Sequence, residues 1–285
     1  MSLDPAALAG RISAETGLAF TGSQGRERDG TRWIELHPEG HPPAQTFTLR
    51  TVIGWRRLDV HFTPGAFAGD LVASMRSADE AGRQGFLAVL RSCQEDVAEV
   101  GLTLNGVGQD LADPLMWSTP WRSMTLVIRR GMLALNEGND AEDARIVALW
   151  AGKAAAAVLA LLPLESEGDE GDAEPETAEI TGLPEGAKIR VEVNRYERDR
   201  RNRAAALAIH GYACKACDTD MGGRYGEVAV GLIEVHHVTP VSEVGAGYVI
   251  DPRHDLVPLC PNCHSVAHRR SPPFSVTELR DMLAA

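Results

Sequence analysis

Two Cys-x-x-Cys pairs, Cys214-x-x-Cys217 and Cys260-x-x-Cys263, constrain this chain more than any other feature. Each pair presents two thiolates from one turn, and four thiolates from two turns make a closed tetrahedral zinc site. Such a site contributes folding free energy to the segment that bears it. Of the five cysteines only Cys93 stands outside the pairs. That usage predicts metal chemistry in a reducing compartment, the cytoplasm, and not a disulfide framework. Neither pair opens a helix inside a strand–helix–strand pattern, which disfavours a redox dithiol.

Between the pairs the chain reads VHHVTPVS, residues 235–242, and the second pair runs on into CHSVAHRR. Neighbours on a strand face opposite ways, whereas helix residues four apart share a face. His264 and His268 are therefore spaced to hold one ion together, with His236 as a third imidazole. An ion held by three imidazoles keeps positions open for substrate and water. His237 lies across the backbone from His236, off the metal and available to take a proton. The competing reading is a half-buried strand whose two histidines have no chemical role. The flanking Cys pairs and the H-x-x-x-H spacing weigh against it.

A net charge of −12 argues against a nucleic-acid partner only if it is spread evenly, and it is not. Residues 165–180, ESEGDEGDAEPETAEI, hold eight acids and no base, the composition of a disordered, self-repelling linker. Residues 1–164 carry four more acids than bases, and residues 181–285 are balanced. Within that last part the bases cluster in KIRVEVNRYERDRRNR. Local charge is what meets a phosphate backbone. The organisation expected is an N-terminal domain over 1–164, a linker over 165–180 and a C-terminal domain over 181–285. The N-terminus lacks a basic segment followed by an apolar one, and the greasiest stretch, ARIVALWAGKAAAAVLALLPL, is broken by Lys153. Neither a signal peptide nor a membrane span is expected.

The first 164 residues read as one α+β unit. TRWIELHP, QTFTLRTVIGWRRLDVHF, GLTLNG and RSMTLVIRR alternate as strands do. SADEAGRQGFLAVLRSCQEDVAEV has helical spacing, and EDARIVALWAGKAAAAVLALLP closes the unit as a helix. His37, His41 and His61 are scattered and read as surface or satisfied core residues. Trp33, Trp55, Trp117 and Trp121 are expected in core packing in preference to a pocket for an extruded base. Arg56 and Arg57, and Arg129 and Arg130, read as solvated faces before nucleic-acid contacts. Nothing here has the spacing of a metal or catalytic motif.

Residues 184–283 resemble the HNH endonuclease module with its ββα-metal core, most closely the McrA-like, or 5-methylcytosine-specific restriction endonuclease A-like, group. The resemblance is carried by VNRYERDRRNRA, HGYACKAC, RYGEVAVGLIEVHHVTPVSEVGAGY, DPRHDLVPLCPNCHSVAHRR and PPFSVTELRDML. It implies that His237 is the general base, that His236, His264 and His268 hold the catalytic ion, and that the four cysteines hold structural zinc. One position departs from the family pattern. The Asn of the motif usually stands nine residues before the first helix histidine, and here that position is Asp255. Asn262 lies inside the second Cys pair and reads as a turn residue. An ionised Asp only accepts hydrogen bonds. Asp255 is thus a brace for the loop or an orienting partner of His237, with a metal-ligand role the weaker reading.

The chemistry implied is hydrolysis of a DNA phosphodiester with Mg²⁺ or Mn²⁺, while imidazole-rich ligation also admits Ni²⁺, Co²⁺ or Zn²⁺. Arg195, Arg198, Arg201, Arg269 and Arg270 are candidates to hold phosphates, with solvated helix faces the equal alternative. A role in restriction or defence is expected, with the N-terminal domain choosing plain or modified DNA. Two alternatives stand beside it: a nuclease gated by an N-terminal sensor of a protein or small molecule, and a non-catalytic zinc DNA-binding module. A homodimer is compatible with each.

Overall fold

The computed structural model describes residues 4–163, 199–238, 248–270 and 272–284. The acidic stretch 165–180, with Arg195 and Arg198, lies outside the described residues.

Helix α1 (Pro5–Thr16) begins with Asp4 as its cap, whose side chain accepts from Ala6 N, and ends at Gly17, whose φ of 70° closes it through a bond to Ser13 O. Four antiparallel strands follow: β1 (Phe20–Arg26), β2 (Arg32–Pro38), β3 (Phe47–Gly54) and β4 (Arg57–Pro64). Their alternation is the period of a sheet with one buried face: Phe47, Leu49 and Ile53 of β3, and Leu58, Val60 and Phe62 of β4, are all buried. Helices α2 (Gly69–Arg76) and α3 (Glu80–Glu95) lead to β5 (Glu99–Leu104), β6 (Val107–Gln109) and β7 (Met124–Gly131). Strand β7 inserts between β4 and β5, giving a seven-stranded sheet in the order β1-β2-β3-β4-β7-β5-β6.

The helix expected over residues 77–100 is shorter than its periodicity predicts. It stops at Glu95 because Val97 adopts φ 62°, with Ala98 N bonded to Cys93 O and Val97 N to Gln94 O. Those two bonds are a Schellman closure, which usually has glycine at the left-handed position. A β-branched residue there gave no stop signal.

Helix α4 (Asp140–Leu161) is the centre of the molecule. It lies against β3 and β4, is flanked by α1 and α3, and is covered on its outer side by α5 (Arg200–His210). Burial on every side explains why it is apolar on every side. It is the one described helix long and apolar enough to cross a membrane by length and composition, yet 83% of that stretch is buried inside the protein.

Helix α5 belongs to two cores at once. Ala204, Ala205 and Ala208 pack into the large core of the N-terminal unit, and Leu207 into a second core with the cysteines. Small side chains on both α5 and the Ala154–Ala157 run of α4 let the two helices approach closely. Around this seam Arg201 forks onto Asp79 at 3.2 and 3.3 Å, Arg253 Nη1 lies 2.8 Å from both oxygens of Glu95, and Arg200 donates to Gly17 O at 3.0 Å.

The second core is carried by α6 (Met221–Tyr225), the antiparallel pair β8 (Glu234–His237) and β9 (Leu256–Leu259), α7 (Pro261–Ala267) and α8 (Val276–Ala284). Asn262, expected in a turn, is an exposed residue in the first turn of α7. Of the tryptophans expected in the core, Trp121 is buried and Trp117 packs against it with centroids 5.0 Å apart. Trp33 stacks under Arg50. Trp55 departs from expectation: it is 77% exposed at the β3–β4 turn, which offers it no neighbouring layer.

Candidate metal centre

Among the described residues, two groups are arranged to hold a metal ion: Cys214, Cys217, Cys260 and Cys263, and His236, His264 and His268. In each group the ligand atoms lie within 4.8 Å of one another.

The first cysteine pair sits in a turn where Asp218 N bonds back to Cys214 O and Cys214 N to Thr219 O. Asp218 takes the left-handed conformation that Asp tolerates better than most residues. Lys215 N bonds to Pro258 O and so ties this turn to β9. The second pair opens α7, with Pro261 in its first turn and His264 N bonded to Cys260 O. Cys217 Sγ and Cys260 Sγ are 3.8 Å apart. That is the edge of a tetrahedron with metal–sulfur bonds of about 2.3 Å, the zinc–thiolate length. Burial pushes the Cys217 thiol up, but its hydrogen bonds with the side chain and backbone of Thr219 outweigh it and bring the thiol down to about 7. The donor set and spacing fit structural zinc.

The histidines come together because α7 packs across the strand pair. His264 lies within α7, and His268 follows as the residue that ends it, bonded through its N to His264 O. His236, 4% exposed, meets both from β8. The three ring centroids are 4.7 to 5.2 Å apart with interplanar angles of 70 to 80°, a propeller of edge-on imidazoles around one point. Three imidazoles so grouped would suit a divalent transition metal and leave positions open on it. His237, paired with Leu256 of β9 and 9% exposed, is not among the three.

Glu234 was not among the residues singled out from the sequence. Its Oε2 contacts His264 Nδ1. Glu234 and His236 are two apart on one strand and thus share a face. A carboxylate on one ring nitrogen fixes the tautomer and orientation of the imidazole, leaving the other nitrogen for the ion.

Asp255 is not part of the histidine cluster. Its Oδ2 accepts from Tyr248 Oη and Asp251 N, both at 2.8 Å, while its backbone O accepts from Val238 N, also at 2.8 Å. These bonds close the loop that enters β9 and hold the residue after His237. Of the phosphate candidates, Arg201 is occupied by Asp79 and Asp199, and Arg270 by Glu278 and the face of Phe274. Arg269 is exposed beside the histidine helix.

No curated protein and no solved structure matches the chain. A family model described as HNH endonuclease matches residues 214–270, the segment that holds both cysteine pairs, His236, His237, Asp255, His264 and His268.

Proposed function

We propose that the chain is a metal-dependent DNA endonuclease of McrA-like type, acting in the cytoplasm in restriction or defence. In this reading residues 1–164 select plain or modified DNA. The observation that carries the nuclease reading is the three-imidazole cluster beside His237, next to a four-cysteine cluster that fits zinc.

When bound, a divalent ion supplies Lewis-acid stabilisation of the charge that develops on the phosphodiester. His236, His264 and His268 hold it through imidazole nitrogen, and Mg²⁺ or Mn²⁺ suits the phosphate while Ni²⁺, Co²⁺ or Zn²⁺ suits the ligands. His237 takes the proton from the attacking water, its ring placed by the β8–β9 pairing. Glu234 orients His264, and Asp255 closes the loop that fixes the end of β8. Arg269 is placed to meet a phosphate.

A sensor role for the N-terminal unit is favoured by one observation. The open face of its sheet mixes both signs of charge, Arg50 with Glu27 and Glu35, and Arg129 with Asp59 and Glu99, and presents no basic field. The deciding experiment is cleavage of plain, methylated and hydroxymethylated DNA by the full chain with Mg²⁺ or Mn²⁺. Cleavage lost in His237→Ala supports the nuclease, and dependence on modification supports the reader. Cleavage of no substrate with either ion refutes the modification reader.

A further inference from the structure

Helix α5 is held from several sides. Its cap Asp199 accepts from Arg201 N and Asn202 N, and Ala204, Ala205 and Ala208 are buried in the large core, where α5 packs against α3 and α4. Leu207 is buried in the second core instead. Arg203 stands four residues before Leu207, so the two share the face of α5 that is turned to the zinc-bearing segment. From that face Arg203 Nη1 donates to Ile233 O at 2.9 Å and Nη2 to Gly231 O at 3.4 Å. Both carbonyls belong to the turn that leads into β8. Gly231 has φ 78°, the left-handed conformation, and Ile233 N closes the turn on Gly231 O at 2.9 Å.

Strand β8 is four residues long, and three of them are Glu234, His236 and His237. Among the described residues it pairs with β9 alone. A two-stranded pair is marginal by itself, whereas metal ligands must be held to within about 0.5 Å. The far end of β8 is fixed by Val238 N on Asp255 O. Its near end is fixed where the Arg203 fork meets the turn. The aim of His236 therefore depends on both ends, and the near one is fastened to a helix that the large core holds.

We propose that Arg203 is a positioning residue for the triad of His236, His264 and His268: it ties the turn that aims the histidine strand to α5. The inference rests on reading that triad as the catalytic centre. The planar fork of Arg reaches two carbonyls at once, which the single ammonium of Lys does not. Gln ends short of the atoms that donate here.

The test is Co²⁺ titration of the full, zinc-loaded chain for wild type, Arg203→Gln and Arg203→Lys, with hydrogen exchange over residues 231–237 before cobalt is added. The weak visible bands of cobalt on imidazole separate from the strong near-ultraviolet thiolate band. Arg203→Gln is expected to bind Co²⁺ about 10-fold more weakly at the triad, the range for groups that orient a ligand. Its visible spectrum should change, its zinc should stay, and residues 231–237 should lose protection. Arg203→Lys should shift affinity in the same direction by a smaller factor. The control is Asp79→Asn, which weakens the fork of Arg201 on the same helix while Asn still caps α3. It is expected to keep wild-type affinity and spectrum. Unchanged affinity in both Arg203 variants overturns the assignment, whether or not stability or protection falls. An equal loss in Asp79→Asn overturns it too, because any loosening of the seam would then suffice. Should Arg203→Gln fail to fold, Arg203→Lys decides alone. A wild type that takes up no Co²⁺ at the triad overturns the metal centre and the proposal together. A wild type that binds Co²⁺ there and cuts no DNA refutes the nuclease reading, while the affinity comparison still judges Arg203.

Discussion

The carboxylate of Glu234 contacts Nδ1 of His264, one of the three imidazoles grouped to hold an ion. Replacing it with Gln keeps the shape and removes the charge that makes the imidazole a better donor. Glu234→Gln is expected to weaken divalent-ion affinity at the triad on the order of 10-fold. Calorimetry with Mn²⁺ reads this directly, with the zinc content of the cysteine site as the control. Equal affinity in the two proteins would reduce the contact to a surface pair.

His236 and His237 are neighbours with different tasks, so their variants should fail differently. His237→Ala is expected to keep the ion and slow hydrolysis on the order of 10² to 10⁴-fold, the usual contribution of a positioned base. His236→Ala should lose affinity, and its defect should shrink as the ion is raised. Metal binding and single-turnover cleavage on both variants check this, and a His237 variant that loses its ion reverses the assignment.

Asp255 accepts from Tyr248 and from the backbone of Asp251. A loop brace of this kind survives replacement by Asn, which still offers one carbonyl oxygen. Asp255→Asn is expected to retain most cleavage with unchanged metal affinity. Asp255→Ala should destabilise the fold by about 0.5–1.5 kcal/mol, the net worth of a hydrogen bond whose donors water can still reach. Urea unfolding and calorimetry separate the two effects, and lost metal binding in Asp255→Asn would make Asp255 a ligand.

Val97 closes α3 in a conformation that costs L-residues roughly 1–2 kcal/mol. It is also 75% exposed, so little packing is lost on its removal. Val97→Gly is expected to raise Tm, since glycine is the residue this closure prefers. A lower Tm would show that the strain is absent.

Burial pushes the Glu15 carboxyl up, against the opposing pull of Arg11, Tyr212 and Arg203. Below the ordinary value of 4.5 the group is protonated in both folded and unfolded chains and its burial adds no charge penalty. As pH rises through that value the unfolded chain ionises first, so the fold loses stability until the buried carboxyl ionises too. Glu15→Gln removes this loss. Relative to wild type its stability should increase between acid and neutral pH in urea titrations, and a difference independent of pH would contradict the shift.

Much of this was legible in the sequence for physical reasons. Strands β2, β3, β4 and β7 alternate cleanly because one face of their sheet is buried. The cysteine pairs and His264/His268 are local spacings, which sequence preserves. Glu234 was overlooked although its signal was present: a carboxylate two before a strand histidine must share its face. Helices α1 and α2 and strands β1 and β6 were overlooked as well; β1, TGSQG in its middle, has glycines where a strand usually has β-branched residues. Arg201, Arg270 and the two-sided role of α5 depend on partners distant in sequence, Asp79 being 122 residues from Arg201. No local pattern encodes such a pairing.

Because α5 contributes side chains to both cores, zinc bound by the cysteines would be thermodynamically linked to the sheet of the N-terminal unit. A ligand that binds only the folded form adds its binding free energy to whatever unfolds together with its site. If the seam melts as one with the cysteine core, the ion acts as a stabilising ligand of α4 and of the strands beneath it. Occupancy of the cysteine site would then stabilise the N-terminal unit together with the segment that binds the metal.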